Sequence, residues 1–193
     1  MGAIQYKQTL LLAHQVASAM ANVHKHKTVH LDFKPAQILL KSHDGGLLAK
    51  ISDFGLSKPL NSDFVGFRGT PEYCAPEMFA TTHQTATPAL DNFALGLTLL
   101  ELFHGDQANL LKGSLESRVI RADVVGCQNP TNHQAWLNLS KQIINNLNPR
   151  KGINQVIQHL LDVNPATRWT AQQAADALQI LIVAGPEKLE KRS

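Results

Sequence analysis

The chain is short of cysteine: Cys74 and Cys127 are the only two in 193 residues. Two thiols cannot build the multi-bridge framework of a small secreted fold, and they suit a reducing compartment, so the expected location is cytoplasmic. Long apolar runs are missing as well. No stretch is long and apolar enough to cross a bilayer, and Met1 to Lys7 lacks the basic-then-apolar pattern of a cleaved leader. The sequence has no internal repeat and no low-complexity tract. Charge of one sign is also scarce. The net charge of +3 is spread over scattered residues such as Lys25, Lys27, Lys188, Lys191 and Arg192, which argues for a solvated exterior and against a nucleic-acid or membrane partner.

Apolar residues make up 44% of the chain and charged ones 17%, which fits one filled core at this length and hardly two. Leu12, Val16, Met20 and Val23 recur at helical spacing and predict an amphipathic helix over residues 9–23. Ile38 to Lys41 and Leu47 to Ile51 are short apolar segments joined by His43-Asp44-Gly45-Gly46, a β-hairpin pattern. Residues 59–88 are rich in Gly, Pro, Thr and Ser without a sustained period and read as one ordered loop.

The stretch from Asp91 to Phe103 is apolar almost all round, through Phe93, Leu95, Leu97, Leu99, Leu100 and Leu102, which marks a buried central helix. Further helical patterns occupy residues 134–147, 153–161 and 171–178. The last opens with Thr170 and Gln173 in the form of a capping box. Residues 185–193 are a polar tail expected to fray. His24 and His26 lie in a polar turn without a third plausible ligand and read as surface residues, not as a metal site.

Three segments carry chemistry, in one order. Val29-His30-Leu31-Asp32-Phe33-Lys34-Pro35-Ala36-Gln37-Ile38-Leu39-Leu40 places an acid and a lysine two residues apart, leading into an apolar strand. Asp53-Phe54-Gly55 follows the hairpin, and Gly69-Thr70-Pro71-Glu72-Tyr73-Cys74-Ala75-Pro76-Glu77 comes later, with Asp91 and Arg168 beyond it. Together they resemble the catalytic loop, metal loop and activation segment of protein kinases.

The resemblance implies a mainly α fold with a small β-hairpin: the larger, C-terminal lobe of a protein kinase-like domain over residues 1–184. No G-x-G-x-x-G with a following strand lysine occurs ahead of the catalytic loop, so the β-rich N-terminal lobe is expected to be absent. It further implies ATP and Mg²⁺ as cofactors and a protein substrate. Asp32 would accept the proton of the substrate hydroxyl or orient it, and Lys34 would offset charge on the γ-phosphate. Asp53 would bind Mg²⁺, Gln37 would stand where the family has an asparagine for a second metal, and Leu39 would floor the adenine. His30 and Phe54 would stack in the core, Gly55 would allow the chain to reverse, Asp91 would hold the catalytic-loop backbone, and Glu77 would pair with Arg168.

Lys34 and the Gly69 to Tyr73 segment resemble Ser/Thr kinases more than tyrosine kinases, with Thr70 beside the substrate. Ser57, Ser62 and Thr70 are candidate phosphorylation sites, although Leu31 stands where many kinases carry an arginine to grip such a phosphate. Two function classes stay open. One is a Ser/Thr protein kinase catalytic lobe, active when completed by its N-terminal lobe. The other is a pseudokinase-like binding module whose exposed upper surface docks another protein. A small-molecule phosphotransferase ranks last, because Ala75-Pro76-Glu77 and Arg168 belong to the protein-kinase pattern.

Overall fold

A computed structural model describes residues 3–43, 45–80, 83–105, 130–148 and 152–185. The hairpin residue Asp44, Cys127 and the tail beyond Gly185 therefore lie outside the described residues. Helix α1 spans Ala3–Lys25, longer at its start than the apolar period predicts. Its buried face carries Leu10, Ala13, Val16, Ala17 and Met20 and packs along the last helix, α5, Ala171–Ala184. The capping box forms as expected: Thr170 Oγ1 accepts from the Gln173 N–H, and Gln173 Oε1 accepts from the Thr170 N–H.

Helix α2, Pro88–His104, is the central post. Proline at its first turn needs no hydrogen-bond donor there, and Phe93, Leu95, Leu97, Leu99 and Leu100 are buried around its circumference. Leu102 is the exception at 37% exposed, so the seal ends before the last turn. Helix α4, Gly152–Leu160, crosses α2 at Gly96, where a β-carbon would come within 2.8 Å of Leu161 and 2.9 Å of Leu160. Helix α3, Pro130–Asn146, brings Trp136 against the rings of Phe93 and Phe79.

The hairpin pairs β2, Ile38–His43, with β3, Gly46–Ile51, in a register that sets Ile38 opposite Ile51. Gln15 on α1 fastens it like a short extra strand, donating to Leu47 O and accepting from the Ala49 N–H. The segment expected to be one ordered loop is more structured than its composition implies. At its start β4, Lys58–Pro59, pairs with β1, Thr28–Val29, outside the segment, and β5, Asp63–Val65, pairs with β6, His83–Thr85, within it. Two 3-10 turns, Pro71–Tyr73 and Pro76–Phe79, each begin on a proline. The pairs tie the segment down at both ends, beside the catalytic loop and ahead of α2.

Candidate active site

The site is assembled on the first turn of α2. Asp91 is 1% exposed, and its carboxylate collects three donors: the Leu31 N–H on Oδ1 at 2.8 Å, and the His30 N–H at 2.7 Å and His24 Nε2 at 2.9 Å on Oδ2. A carboxylate in the first turn of α2 sits favourably with that helix's dipole. His24 is thus a part-buried partner of Asp91, with its side chain only 11% exposed, and the surface reading made from its polar neighbours is corrected. Its partner stands 67 residues away, so no local signal marks it.

Held at its backbone, the catalytic loop turns sharply through Leu31, whose φ is +67° and whose side chain is buried. The turn projects Asp32 and Lys34 toward the activation segment. Lys34 Nζ lies 3.1 Å from Asp32 Oδ2 and donates to Thr70 Oγ1 at 2.6 Å, while the Thr70 hydroxyl donates to Asp32 Oδ1 at 2.6 Å. The three form a closed triangle in which each carboxylate oxygen has a donor. Gly69, at φ +92°, makes this approach possible, because a β-carbon there would collide with the Leu31 carbonyl.

Across the base of the hairpin Gln37, 8% exposed, donates from Nε2 to Asp53 Oδ2 at 3.2 Å. Asp53 is exposed and has a φ of +61°, a left-handed conformation that turns its carboxylate back toward Gln37. Gly55 follows in the same turn, its N–H 3.4 Å from Asp53 Oδ1. His30 is fully buried, with Nε2 3.0 Å from Ser52 O, and its ring centroid lies 4.9 Å from that of Phe54. Phe54 itself is 43% exposed, so it caps this stack from outside and does not enter the core. Leu39 is 57% exposed on the hairpin.

Below the activation segment, Arg168 Nη1 and Nη2 engage Glu77 Oε1 and Oε2 at 2.6 and 3.0 Å, a bidentate pair. Arg168 also donates to Ala89 O and Asp162 O and lies over the Phe93 ring. On the same segment, Tyr73 donates to Glu101 Oε2 at 2.8 Å. Burial first, then this bond and the nearby charges of Glu101 and Glu72, push the Tyr73 phenol well above its usual range, so it stays a donor. Glu101 did not stand out in the sequence, since 28 residues separate it from Tyr73. The candidate phosphorylation hydroxyls are engaged internally: Ser57 with Phe54 O, Ser62 with Pro59 O and Thr70 with Asp32.

Comparison with known proteins identifies the family. A family model of the protein kinase domain matches residues 1–178. The chain belongs to the protein kinase domain family. Among relatives, the serine/threonine-protein kinase ArnS of Sulfolobus acidocaldarius is 28% identical over 193 aligned residues, covering 88% of this chain and 30% of its own. The serine/threonine-protein kinase PkaA of Streptomyces coelicolor is 38% identical over 99 residues, covering 49% of this chain and 18% of its own. The ovarian-specific serine/threonine-protein kinase Lok of Drosophila melanogaster is 38% identical over 98 residues, covering 49% and 21%. The chain thus spans less than a third of the length of these curated relatives. Among the described residues, no helix of this kinase-family chain is long and apolar enough to cross a membrane.

Proposed function

We propose that this chain is the catalytic lobe of a Ser/Thr protein kinase, directing the γ-phosphate of Mg-ATP to a protein hydroxyl. The observation that carries the reading is the triangle of Asp32, Lys34 and Thr70. Phosphoryl transfer asks a protein mainly to position groups and to offset charge. Asp32 offers an acceptor for the proton of an incoming hydroxyl, and Lys34 places a positive charge beside it. Thr70 holds both in register, and its place on the activation segment ties the geometry to the side where a peptide would lie.

The donor set near Asp53 fits a hard cation: an exposed carboxylate with an amide beside it, in oxygen chemistry that suits Mg²⁺. Asp53 would hold the metal and Gln37 would orient Asp53. When bound, Mg²⁺ supplies charge neutralisation on the phosphate oxygens. Leu39, exposed on the hairpin, offers an apolar floor for a base, while Asp91, Glu77 and Arg168 act beneath as support.

A second reading, a pseudokinase-like binding module, is favoured by a separate observation. Leu39, Leu40, Leu47, Phe54 and Leu56 are all exposed on the hairpin and the loop after it, a surface suited to a protein partner. The test is transfer of radiolabelled γ-phosphate from ATP to arrayed Ser, Thr and Tyr peptides, run beside Asp32→Ala. The kinase reading expects label on Ser or Thr peptides and a fall of about 10²- to 10⁴-fold in Asp32→Ala. Equal labelling by both chains would defeat it.

A further inference from the structure

Between the two 3-10 turns the chain runs through the core without belonging to a strand. Cys74 and Ala75 are extended there, with φ of −75° and −67° and ψ of 145° and 149°, and Cys74, Ala75 and Pro76 are all buried. Buried carbonyls outside a sheet must find their donors elsewhere. Two of these find ring N–H groups on α3. The Trp136 indole donates to Cys74 O at 2.7 Å, and His133 Nδ1 lies 2.7 Å from Pro76 O. A carbonyl only accepts, so this His133 nitrogen carries a proton. Three residues apart, the two rings leave one face of the helix together, and that face meets the extended chain as the edge of a neighbouring strand would.

A bonded path leads from this stretch to Asp32. The Cys74 thiol sits against Thr70 O at 3.3 Å and Arg68 O at 3.4 Å, the Tyr73 and Cys74 N–H groups donate to Thr70 O and Pro71 O, and the Thr70 hydroxyl donates to Asp32 Oδ1. The segment is thus held against the catalytic loop in front and against α3 behind. The two rear contacts can be cut without emptying the core. His133 is part-buried, so its loss removes a donor and little packing. Trp136 is 2% exposed and its ring lies against Phe79 and Phe93, so a phenylalanine there keeps an aromatic ring in the cluster and removes the N–H.

We infer that His133 and Trp136 are positioning residues: through two N–H donors α3 holds the backbone of Cys74 and Pro76 and so sets Thr70 against Asp32. What this does for phosphoryl transfer rests on the kinase reading above, so the segment and the reaction are read separately. Amide hydrogen exchange of the full chain, followed by NMR, reads the segment. His133→Ala should speed exchange at the Tyr73 and Cys74 amides about tenfold, the effect of losing one such bond, and leave the amides of α2 unchanged. His133→Asn, whose amide donates from nearly the same place, should recover most of the protection, and Trp136→Phe should loosen the same two amides. Transfer of labelled γ-phosphate to a Ser peptide reads the reaction: kcat should fall about tenfold in His133→Ala, the same bond expressed as a rate, with KM for ATP unchanged and kcat recovered in His133→Asn. Unchanged exchange at Tyr73 and Cys74 overturns the inference, as does an equal rise throughout α2, no recovery in His133→Asn, or a loosened segment with kcat intact. An unaltered chain that transfers no phosphate defeats the kinase reading, while exchange at Tyr73 and Cys74 still decides for or against the hold of α3.

Discussion

The underside of the site and its upper face are built on opposite terms. Beneath, Asp91 and the Arg168 side chain are almost wholly buried, and the charged groups there are paired several times over: three donors on Asp91, four hydrogen bonds from Arg168. Above, Asp53, Phe54 and Leu39 are exposed, and Asp53 holds a left-handed backbone with one amide contact and one long N–H contact on its carboxylate. A buried charge must find partners or destabilise the fold, so the lower groups are spent on structure. An exposed carboxylate with a spare oxygen remains available to a ligand. Asp32, Lys34 and Thr70 lie on the boundary, part-buried, with their side chains bonded to one another.

The comparison can be broken from either side. Arg168→Ala should cost about 3–5 kcal/mol of folding stability, because it strands Glu77 and the carbonyls of Ala89 and Asp162; urea unfolding would read it. His24→Ala should cost about 1–3 kcal/mol as one donor to the buried Asp91 carboxylate is lost, and should speed hydrogen exchange at the His30 and Leu31 amides, with His24→Asn recovering part of the protection. Both tyrosines have phenols pushed upward, Tyr6 by burial and Tyr73 chiefly so. The folded chain therefore keeps phenolic protons that the unfolded chain sheds above pH about 10, and stability should fall as pH rises past that point. Tyrosinate absorbance appearing only together with unfolding would agree; tyrosinate forming in the folded chain near pH 10 would not. Leu39→Ser should change stability by less than about 0.5 kcal/mol while weakening nucleotide binding, since the side chain is already exposed.

What the sequence made legible follows the same division. Asp32, Lys34, Asp53 and Thr70 were singled out through the resemblance of their segments to protein-kinase motifs, whereas α2 was legible because burial on every side leaves an apolar run that surface helices lack. The pair Glu77 and Arg168, 91 residues apart, was reachable only through the family resemblance. His24 was misread because its neighbours are polar while its partner is remote. The pairs β1 with β4 and β5 with β6 escaped for a related reason: strands of two or three residues carry no period, and their stability comes from chain elsewhere. The exposure of Phe54 could not be read from its apolar character, since an aromatic can stack on a buried histidine from outside.

The central claim is that the upper face holds a metal-bound nucleotide through Asp53. Calorimetric titration of the purified chain with ATP, with and without Mg²⁺ and beside Asp53→Asn, addresses it most directly. Binding that requires Mg²⁺ and disappears in Asp53→Asn is the result expected. No binding at millimolar nucleotide, or binding indifferent to both the metal and the substitution, would contradict it and favour a docking surface in its place.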